Sequence, residues 1–199
     1  LRWDYLGCEG KFPVRTPNVD ALAQRGVRFT QCRSNSPLCA PVRACIAAGR
    51  RYHRTDVPGN NAHLDPAMGT VFQQLRNAGY RIGTCGKCDL NKDQGPRHDG
   101  WTQLLGQYGF TEAIDHAGKI DCVNNNKNTP TEPYSAHLHS QGLMQAHFDD
   151  YDKRGKTDNP PAAWASPLPR KHYTDDFAGQ NALELLDGFP EHAPWTLWV

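Results

Sequence analysis

The 199 residues of this chain are enough for one sizeable core or for two small domains. Hydrophobic residues make up 38% of the sequence, and no apolar run is long enough to span a bilayer, so we expect no membrane-spanning segment. The formal net charge of +1 argues against the strongly basic surface with which proteins bind nucleic acid or an anionic membrane.

Seven cysteines are spread irregularly along the chain and are too sparse for a disulfide scaffold. Because their number is odd, at least one thiol is expected to be free or modified, and the redox compartment stays open. The chain begins at Leu1 rather than at a methionine and stops at Val199, inside a segment typical of a buried strand. We therefore expect a chain truncated at both ends.

The first predicted elements are a helix and a short strand. Thr16 is the expected cap of a helix that opens with Pro17 and closes at Gly26. Val27–Thr30 alternates in polarity, which predicts a strand. A polar loop over residues 31–38 follows and leads into the next helix.

A second helix is predicted directly after Cys39. Pro41 suits its first position and Gly49 its end, so that Cys39 would lie just before the helix N-terminus. Free N–H groups and the helix dipole favour negative charge at such a place. Arg43 adds a cation one turn into the helix. The stretch therefore predicts an anion-binding pocket with a sulfur at its mouth.

Two further elements follow a loop over residues 51–66. Residues 69–78 have the periodicity of an amphipathic helix, and Tyr80–Gly86 is predicted as a strand that ends before Lys87. Strands that alternate with helices predict an α/β sheet with helices on its faces. Because ligands collect beyond the carboxyl ends of strands in such sheets, Cys39 and Lys87 are expected at one rim.

The signal weakens over residues 92–171. Asn124–Pro130 and Asp158–Pro161 are typical of loops, and the whole stretch is interpreted as a long excursion and a candidate substrate-facing insertion. A last helix is predicted from Asp175 to Leu186, with Thr174 as its cap, ahead of the strand at the end of the chain.

Cys39 has three interpretations. A buried cysteine near a helix start is the simplest. A thiolate activated by the helix dipole and Arg43 is the second, but it needs a histidine base, and the sequence places none beside it. The third rests on similarity, because Cys39-Ala40-Pro41-Val42-Arg43 resembles the C-x-P-x-R signature of the sulfatase family.

Further motifs in the same order strengthen this resemblance. The matching segments are Thr16–Ala23 with Gly26–Phe29, Gly49-Arg50, Asn60 with Leu64, Leu75–Tyr80, Gly86-Lys87 and Pro194–Val199. The resemblance implies an α/β fold with an alkaline-phosphatase/sulfatase-like mixed sheet and helices on both faces. Residues 1–199 would form the N-terminal part of a single large domain, with a poorly matched excursion at about 92–171.

The resemblance also implies a mechanism. In this family a formylglycine-generating maturation enzyme modifies the cysteine, and the hydrated aldehyde attacks the sulfur of a sulfate monoester. Ca²⁺ or another divalent cation polarises the sulfate, and Cys39, as formylglycine, would be one of its ligands. Arg43 and Lys87 would stabilise the charge on the sulfate oxygens, and Asn60 would donate a hydrogen bond to them. The substrate would be a small-molecule or carbohydrate sulfate ester, with a periplasmic or secreted location as the family expectation.

One position departs from the family pattern. The family's G-K-x-H is replaced by Gly86-Lys87-Cys88-Asp89. Asp89 can accept a proton from the hydrate or pair with Lys87, but it cannot donate as an imidazolium does. We interpret it as a carboxylate in the histidine's catalytic role, and an altered site is the other interpretation.

Other candidate residues lie outside these motifs. Cys85 and Cys88 form a C-x-x-C, but no second cysteine pair follows at the spacing of a zinc site. The family's adjacent metal-binding aspartates would precede Leu1, and further ligands would follow Val199, so Asp4 is interpreted as a surface or capping residue. Four histidines lie in predicted loops or weakly matched stretches, and the last is a candidate for lining a substrate pocket: His53, His63, His98 and His172.

Two rival functions stay open at this point. A phosphonate or phosphate ester hydrolase of the same superfamily shares the nucleophile signature. A non-catalytic, sulfatase-like binding module would keep Cys39 as a thiol, with Asp89 as the mark of lost chemistry. The sequence therefore predicts a hydrolase of sulfate esters without excluding either rival.

Overall fold

A computed structural model describes residues 2–92, 102–126, 128–155 and 164–199 of the chain. The chain divides into two units, Leu1–Ser34 and Asn35–Val199. No helix in these described ranges is both long enough and apolar enough to cross a membrane.

The first unit contains a 3-10 turn, Gly7–Glu9, and helix α1, Pro17–Arg25. Thr16 is the N-cap and Pro17 occupies the first turn, both as predicted, but the Thr16 hydroxyl bonds no amide of the helix. It instead donates to Asp20 Oδ1 at 2.8 Å and accepts from the Gly7 amide at 2.9 Å. The hydroxyl therefore ties α1 to the turn before it.

The prediction of a strand over Val27–Thr30 is wrong. These residues pair with none of the strands in the described part of the chain, and the side chains of Val27 and Phe29 are largely exposed. A strand exists only through hydrogen bonds to a neighbour, and alternation in polarity does not supply that neighbour.

The second unit opens with helix α2, Cys39–Ala48. Leu38 is its N-cap, so α2 begins two residues earlier than predicted and Pro41 is its third residue. The N–H groups of the first turn have no partner within the helix, so proline is tolerated at any position there. A proline therefore locates the start of a helix only to within two residues. Gly49 ends the helix at φ 61, in the left-handed region, as predicted.

Helix α3, Val71–Asn77, and strand β1, Arg81–Gly86, follow close to their predicted places. Thr70 and Gln73 form a reciprocal capping box at the start of α3, in which each side chain accepts the other residue's amide. β1 is buried along almost its whole length and is therefore a central strand.

The stretch interpreted as an excursion contains regular structure that carries the sheet onward. Its elements are α4 (Thr102–Gly106), β2 (Glu112–Asp115), α5 (Lys119–Asn126), α6 (Pro133–Ser140) and α7 (Met144–Gly155). The loop predicted to begin at Asn124 is wrong there, because α5 continues to Asn126. The loop predicted at 158–161 lies outside the described residues. Short elements of mixed polarity gave too little periodicity to be recognised.

Helix α8, Thr174–Asp187, and strand β3, Trp195–Trp198, complete the unit. Thr174 is the first residue of α8 rather than its cap, which is Tyr173. β3 is less buried than its sequence predicts, and Trp195 is 51% exposed. β3 is an edge strand of the described sheet, so one side of it lacks the cover that β1 has.

The sheet has the order β2-β1-β3 with parallel pairs throughout, which confirms the predicted α/β class. Ile82 packs in a core cluster with alanines of α2 and with Phe72 of α3. Cys85, on the other face of β1, donates its thiol to the Ala178 carbonyl in α8 at 3.6 Å. Helices therefore cover both faces, and the carboxyl ends of β1 and β2 lie side by side.

Gly109 precedes β2 at φ 109, where other residues are strained, and a Cβ there would run into the backbone of Phe72 and Gln73. We expect Gly109→Ala to lower the free energy of unfolding by about 2–5 kcal/mol. Gly106→Ala is the matched control, since nothing lies within 4 Å of its added methyl, and it should change stability by less than about 0.5 kcal/mol. Urea denaturation measures both variants, and equal effects would contradict this account of Gly109.

Candidate active site

The predicted nucleophile lies at the start of α2. Cys39 is exposed and free, as the first residue of the helix. The next amide, of Ala40, donates to Asn60 Oδ1 at 3.1 Å, so a side chain from the following loop caps the helix. The carbonyl oxygen of Asn60 thus serves the helix, whereas the predicted donation to a sulfate needs its NH₂ group and stays a prediction.

Arg43 joins this helix to the sheet. Its Nη1 donates to the carbonyl oxygen of Lys87 at 2.5 Å. Lys87 is the first residue after β1, and Arg43 lies one turn into α2. The bond therefore holds this end of α2 against the carboxyl end of the central strand. Two of the predicted site residues are therefore brought together as the sequence suggested.

The Lys87 ammonium forms an ion pair with a residue of α5. Its Nζ lies 2.9 Å from Asp121 Oδ2, and a Cβ at Gly118 would be only 3.2 Å from it. Burial lowers the pKa of Lys87, but the hydrogen bond to Asp121 and the negative charges of Asp89 and Asp121 raise it above the usual value overall. Lys87 is therefore a cation at neutral pH.

Asp89 has an unusual backbone and a buried carboxylate. Its φ is 63, and the residue is 7% exposed. Oδ1 pairs with Lys92, three residues later, rather than with Lys87. The negative charge of Asp89 still raises the pKa of Lys87. Oδ2 is buried without a hydrogen-bond partner among the described residues. One carboxylate oxygen is thus left to accept a proton.

The C-x-x-C pair does not form a redox or zinc half-site here. Cys85 and Cys88 are both buried free thiols. Burial raises the pKa of Cys85 to about 11 and raises that of Cys88 further, so both stay protonated. In the described ranges no group of three or more histidine, cysteine or acidic side chains is placed to hold a metal ion. These residues therefore do not make a divalent-cation site by themselves.

The other candidates are four histidines and Asp4. His53 is exposed in the 3-10 turn Tyr52–Arg54, and His63 is exposed in a loop. Asp4 forms an ion pair with Arg2 in the first unit, 2.7 Å between Nη2 and Oδ2. His172 lies 2.9 Å, Nδ1 to Nε2, from His137 of α6 rather than in a pocket beside Lys87. His98 lies outside the described residues.

A cavity of about 740 Å³ opens beside Lys87. Its wall includes the two ion pairs Lys87–Asp121 and Lys119–Asp175, with 2.9 Å between the charged atoms of each. His116 also lines it and was missed by the sequence reasoning. The only signal was the Asp-His pair at 115–116, which has meaning only once β2 is known to end there.

His116 is held in one orientation. Its ring is 4% exposed, and Nδ1 lies 2.9 Å from the Ala117 carbonyl oxygen, to which it can donate only when protonated at that nitrogen. Nε2 is buried and has no hydrogen-bond partner in the described part of the chain. Burial lowers the pKa of His116, although the Ala117 carbonyl and Glu132 oppose the shift. With Nδ1 protonated, Nε2 is the acceptor of the ring, and it is buried rather than open to the cavity.

The family model for sulfatases matches residues 1–199, the full length of the chain. The chain belongs to the sulfatase family. It is 34% identical over 104 residues to N-acetylglucosamine-6-O-sulfatase of Bacteroides thetaiotaomicron, which covers 52% of this chain and 18% of that protein. It is 42% identical over 74 residues to choline-sulfatase of Rhizobium meliloti, which covers 37% of this chain and 14% of that protein.

A solved structure supports the fold. The phosphonate monoester hydrolase of Agrobacterium radiobacter superposes with a TM-score of 0.63 over 98% of this chain and 37% of its own, at 23% identity. The chain thus spans less than two fifths of that protein and less than a fifth of the two sulfatases above. The expected fold, of the alkaline-phosphatase and sulfatase type, is confirmed by this similarity.

Asn60 offers a test of how the start of α2 is held. Asn60→Ala removes the acceptor of the Ala40 amide and should lower the free energy of unfolding by about 1 kcal/mol. Asn60→Asp keeps an acceptor and should lose much less. Asn61→Ala, at the exposed neighbour, is the control and should stay within about 0.5 kcal/mol of the parent protein. Equal losses at both positions in urea denaturation would contradict the capping role.

Proposed function

We propose that this chain carries the nucleophile and anion-binding part of a sulfate monoester hydrolase, in which Cys39 is converted to formylglycine. The observation that carries the proposal is the Cys39-to-Arg43 signature at the start of α2, anchored to the Lys87 carbonyl in a chain of the sulfatase family. Cys39 is exposed and free, so a substrate can reach position 39 from solvent.

Formylglycine would supply a hydrate with two hydroxyls on one carbon. One would give up its proton and bond to sulfur while the ester S–O bond breaks and the alcohol leaves; loss of the proton from the other would then expel sulfate and restore the aldehyde. The start of α2 contributes free N–H groups and a dipole that favour an anion beside position 39. Arg43 and Lys87 add two cations, and the bond from Arg43 to the Lys87 carbonyl holds these two residues together. Together they oppose the build-up of negative charge on the sulfate oxygens.

Asp89 is proposed as the base that takes a proton from the hydrate. Its free Oδ2 is the acceptor, while Oδ1 stays paired with Lys92. We also propose that Ca²⁺ or another divalent cation binds here, with formylglycine at position 39 as one of its ligands. Because the described residues form no metal site, no step assigned to them depends on that ion.

Sulfate esters of small molecules or carbohydrates are the proposed substrates. The two named relatives are sulfatases of N-acetylglucosamine 6-sulfate type and of choline type, which span both classes. A phosphonate or phosphate ester hydrolase is the second candidate, and the solved neighbour with the same fold is a phosphonate monoester hydrolase. A binding module with an unmodified Cys39 is the non-catalytic alternative.

Turnover of two aryl esters separates these candidates. We expect the intact protein, produced with a formylglycine-generating enzyme, to hydrolyse 4-nitrophenyl sulfate faster than 4-nitrophenyl phenylphosphonate. Cys39→Ala should reduce this turnover at least about a thousandfold, since it removes the nucleophile. Cys45→Ala, at the buried cysteine of the same helix, is the control and should keep the activity. A clear preference for the phosphonate would overturn the sulfatase assignment.

Asp89→Asn tests the proposed base. Asparagine tolerates positive φ as aspartate does, so the fold should be retained while turnover falls by about 10²–10⁴. Asp56→Asn is the matched control, because Asp56 also has a positive φ, 51, but is exposed. Circular dichroism checks the fold and 4-nitrophenyl sulfate hydrolysis the activity. Unchanged turnover in Asp89→Asn would remove Asp89 from the mechanism.

A further inference from the structure

A surface pocket lined only by basic residues lies at the end of α2 opposite to Cys39. Its volume is about 540 Å³. The residues that line it are Arg50, Arg51, His53 and Arg54. At 1.5 Å per residue, the ten residues of α2 place this pocket roughly 15 Å from Cys39 along the helix axis. The pocket is therefore separate from the anion site proposed at the start of the helix.

The backbone that carries these side chains is held by hydrogen bonds. Residues Tyr52–Arg54 form a 3-10 turn, in which the Arg54 amide donates to the Arg51 carbonyl at 2.9 Å. The next residue, Thr55, is buried, and its hydroxyl donates to the Tyr52 carbonyl at 2.9 Å. The turn therefore holds the arginines close together at defined places along the chain.

The described part of the protein does not balance the charge of this pocket. Arg50, Arg51 and Arg54 form no ion pair with any described residue. Arg50 Nη2 donates to the Met68 carbonyl at 3.1 Å, whereas the guanidinium groups of Arg51 and Arg54 form no hydrogen bond within the described ranges. Because these side chains are exposed, water can satisfy their donors, but it does not remove the repulsion between three like charges.

A tetrahedral oxyanion matches these donors. Each guanidinium group presents pairs of N–H groups that can bind two oxygens of a sulfate or phosphate together. The end of α2 beside the pocket carries about half a negative charge from the helix dipole, which three guanidinium groups outweigh. A dianion would therefore remove much of the repulsion and use the free donors, whereas chloride has neither the second charge nor the oxygens.

We propose that Arg50, Arg51 and Arg54 form a second anion site, which binds inorganic sulfate or phosphate. This site is distinct from the one at Cys39, and its ligand takes no part in bond changes. The proposal does not depend on the proposed ester hydrolysis, since it concerns only the binding of an anion at the far end of α2.

Chemical modification of arginine tests the location of the site. Phenylglyoxal reacts with guanidinium groups, and mass spectrometry of the digested intact protein gives the extent of reaction at each arginine. We expect sodium sulfate and sodium phosphate to slow the reaction of Arg51 and Arg54 at least about threefold relative to sodium chloride of equal ionic strength, because bound oxygens cover the reacting nitrogens. Arg15 and Arg25, which are exposed and lie outside the pocket, are the internal control and should react equally in all three salts.

Equal rates at Arg51 and Arg54 in the three salts would overturn the proposal. Equal slowing at Arg15 and Arg25 would also overturn it, because the effect would then be one of ionic conditions and not of a site.

Calorimetric titration of the intact protein with sodium sulfate tests the chemistry of the site. Arg51→Gln/Arg54→Gln should weaken the binding of one sulfate ion at least about tenfold, because two bidentate donors are lost. Arg51→Lys/Arg54→Lys keeps the charge but loses the paired N–H groups, and its loss should be smaller. Arg15→Gln/Arg25→Gln removes the same charge elsewhere and should stay within about twofold of the parent protein.

Circular dichroism checks that each variant is folded. A similar loss in both glutamine pairs would show an effect of net charge alone and overturn the proposal, as would sulfate binding that is unchanged in Arg51→Gln/Arg54→Gln. Because both experiments measure binding and not turnover, they decide the proposal even for a protein that hydrolyses no sulfate ester.

Discussion

The register between β1 and β2 is the constraint on which the site depends. Gly86 pairs with Asp115, so the residues that follow them, Lys87 and His116, leave the sheet side by side. The His116 amide donates to the Gly86 carbonyl at 3.0 Å, and Asp115 Oδ1 accepts from the Cys88 amide at 2.8 Å. A shift of one residue would turn every side chain of β2 to the other face and separate the sulfate site from the cavity.

Two side-chain hydrogen bonds hold the helix that carries Cys39. Arg43 reaches the Lys87 carbonyl, and Asn60 caps the Ala40 amide at the helix start. Small side chains form the inner face of α2, since Ala40, Ala44 and Ala47 are all buried in the same core cluster as Ile82. Charge therefore accumulates where an anion would bind, while the apolar face of the helix supplies the stability.

The sequence predicted the parts of this arrangement that depend on local rules. Helix punctuation located α2, and the C-x-P-x-R signature pointed to Cys39, Arg43 and their neighbours around Lys87. It failed where an element depends on a distant partner. Val27–Thr30 alternates in polarity like a strand but pairs with no strand among the described residues. β2, in contrast, is only four residues long and is a strand because it pairs with β1. His116 was missed with β2, because its position means nothing until that pairing is known.

The central claim is that position 39 acts as an aldehyde rather than as a thiol. The most direct measurement is mass spectrometry of the peptide containing residue 39, after the active protein has reacted with an aldehyde-specific hydrazide. We predict that this peptide carries the hydrazide and that the peptides of the other six cysteines do not. A protein that hydrolyses sulfate esters while residue 39 is recovered as unmodified cysteine would contradict the account.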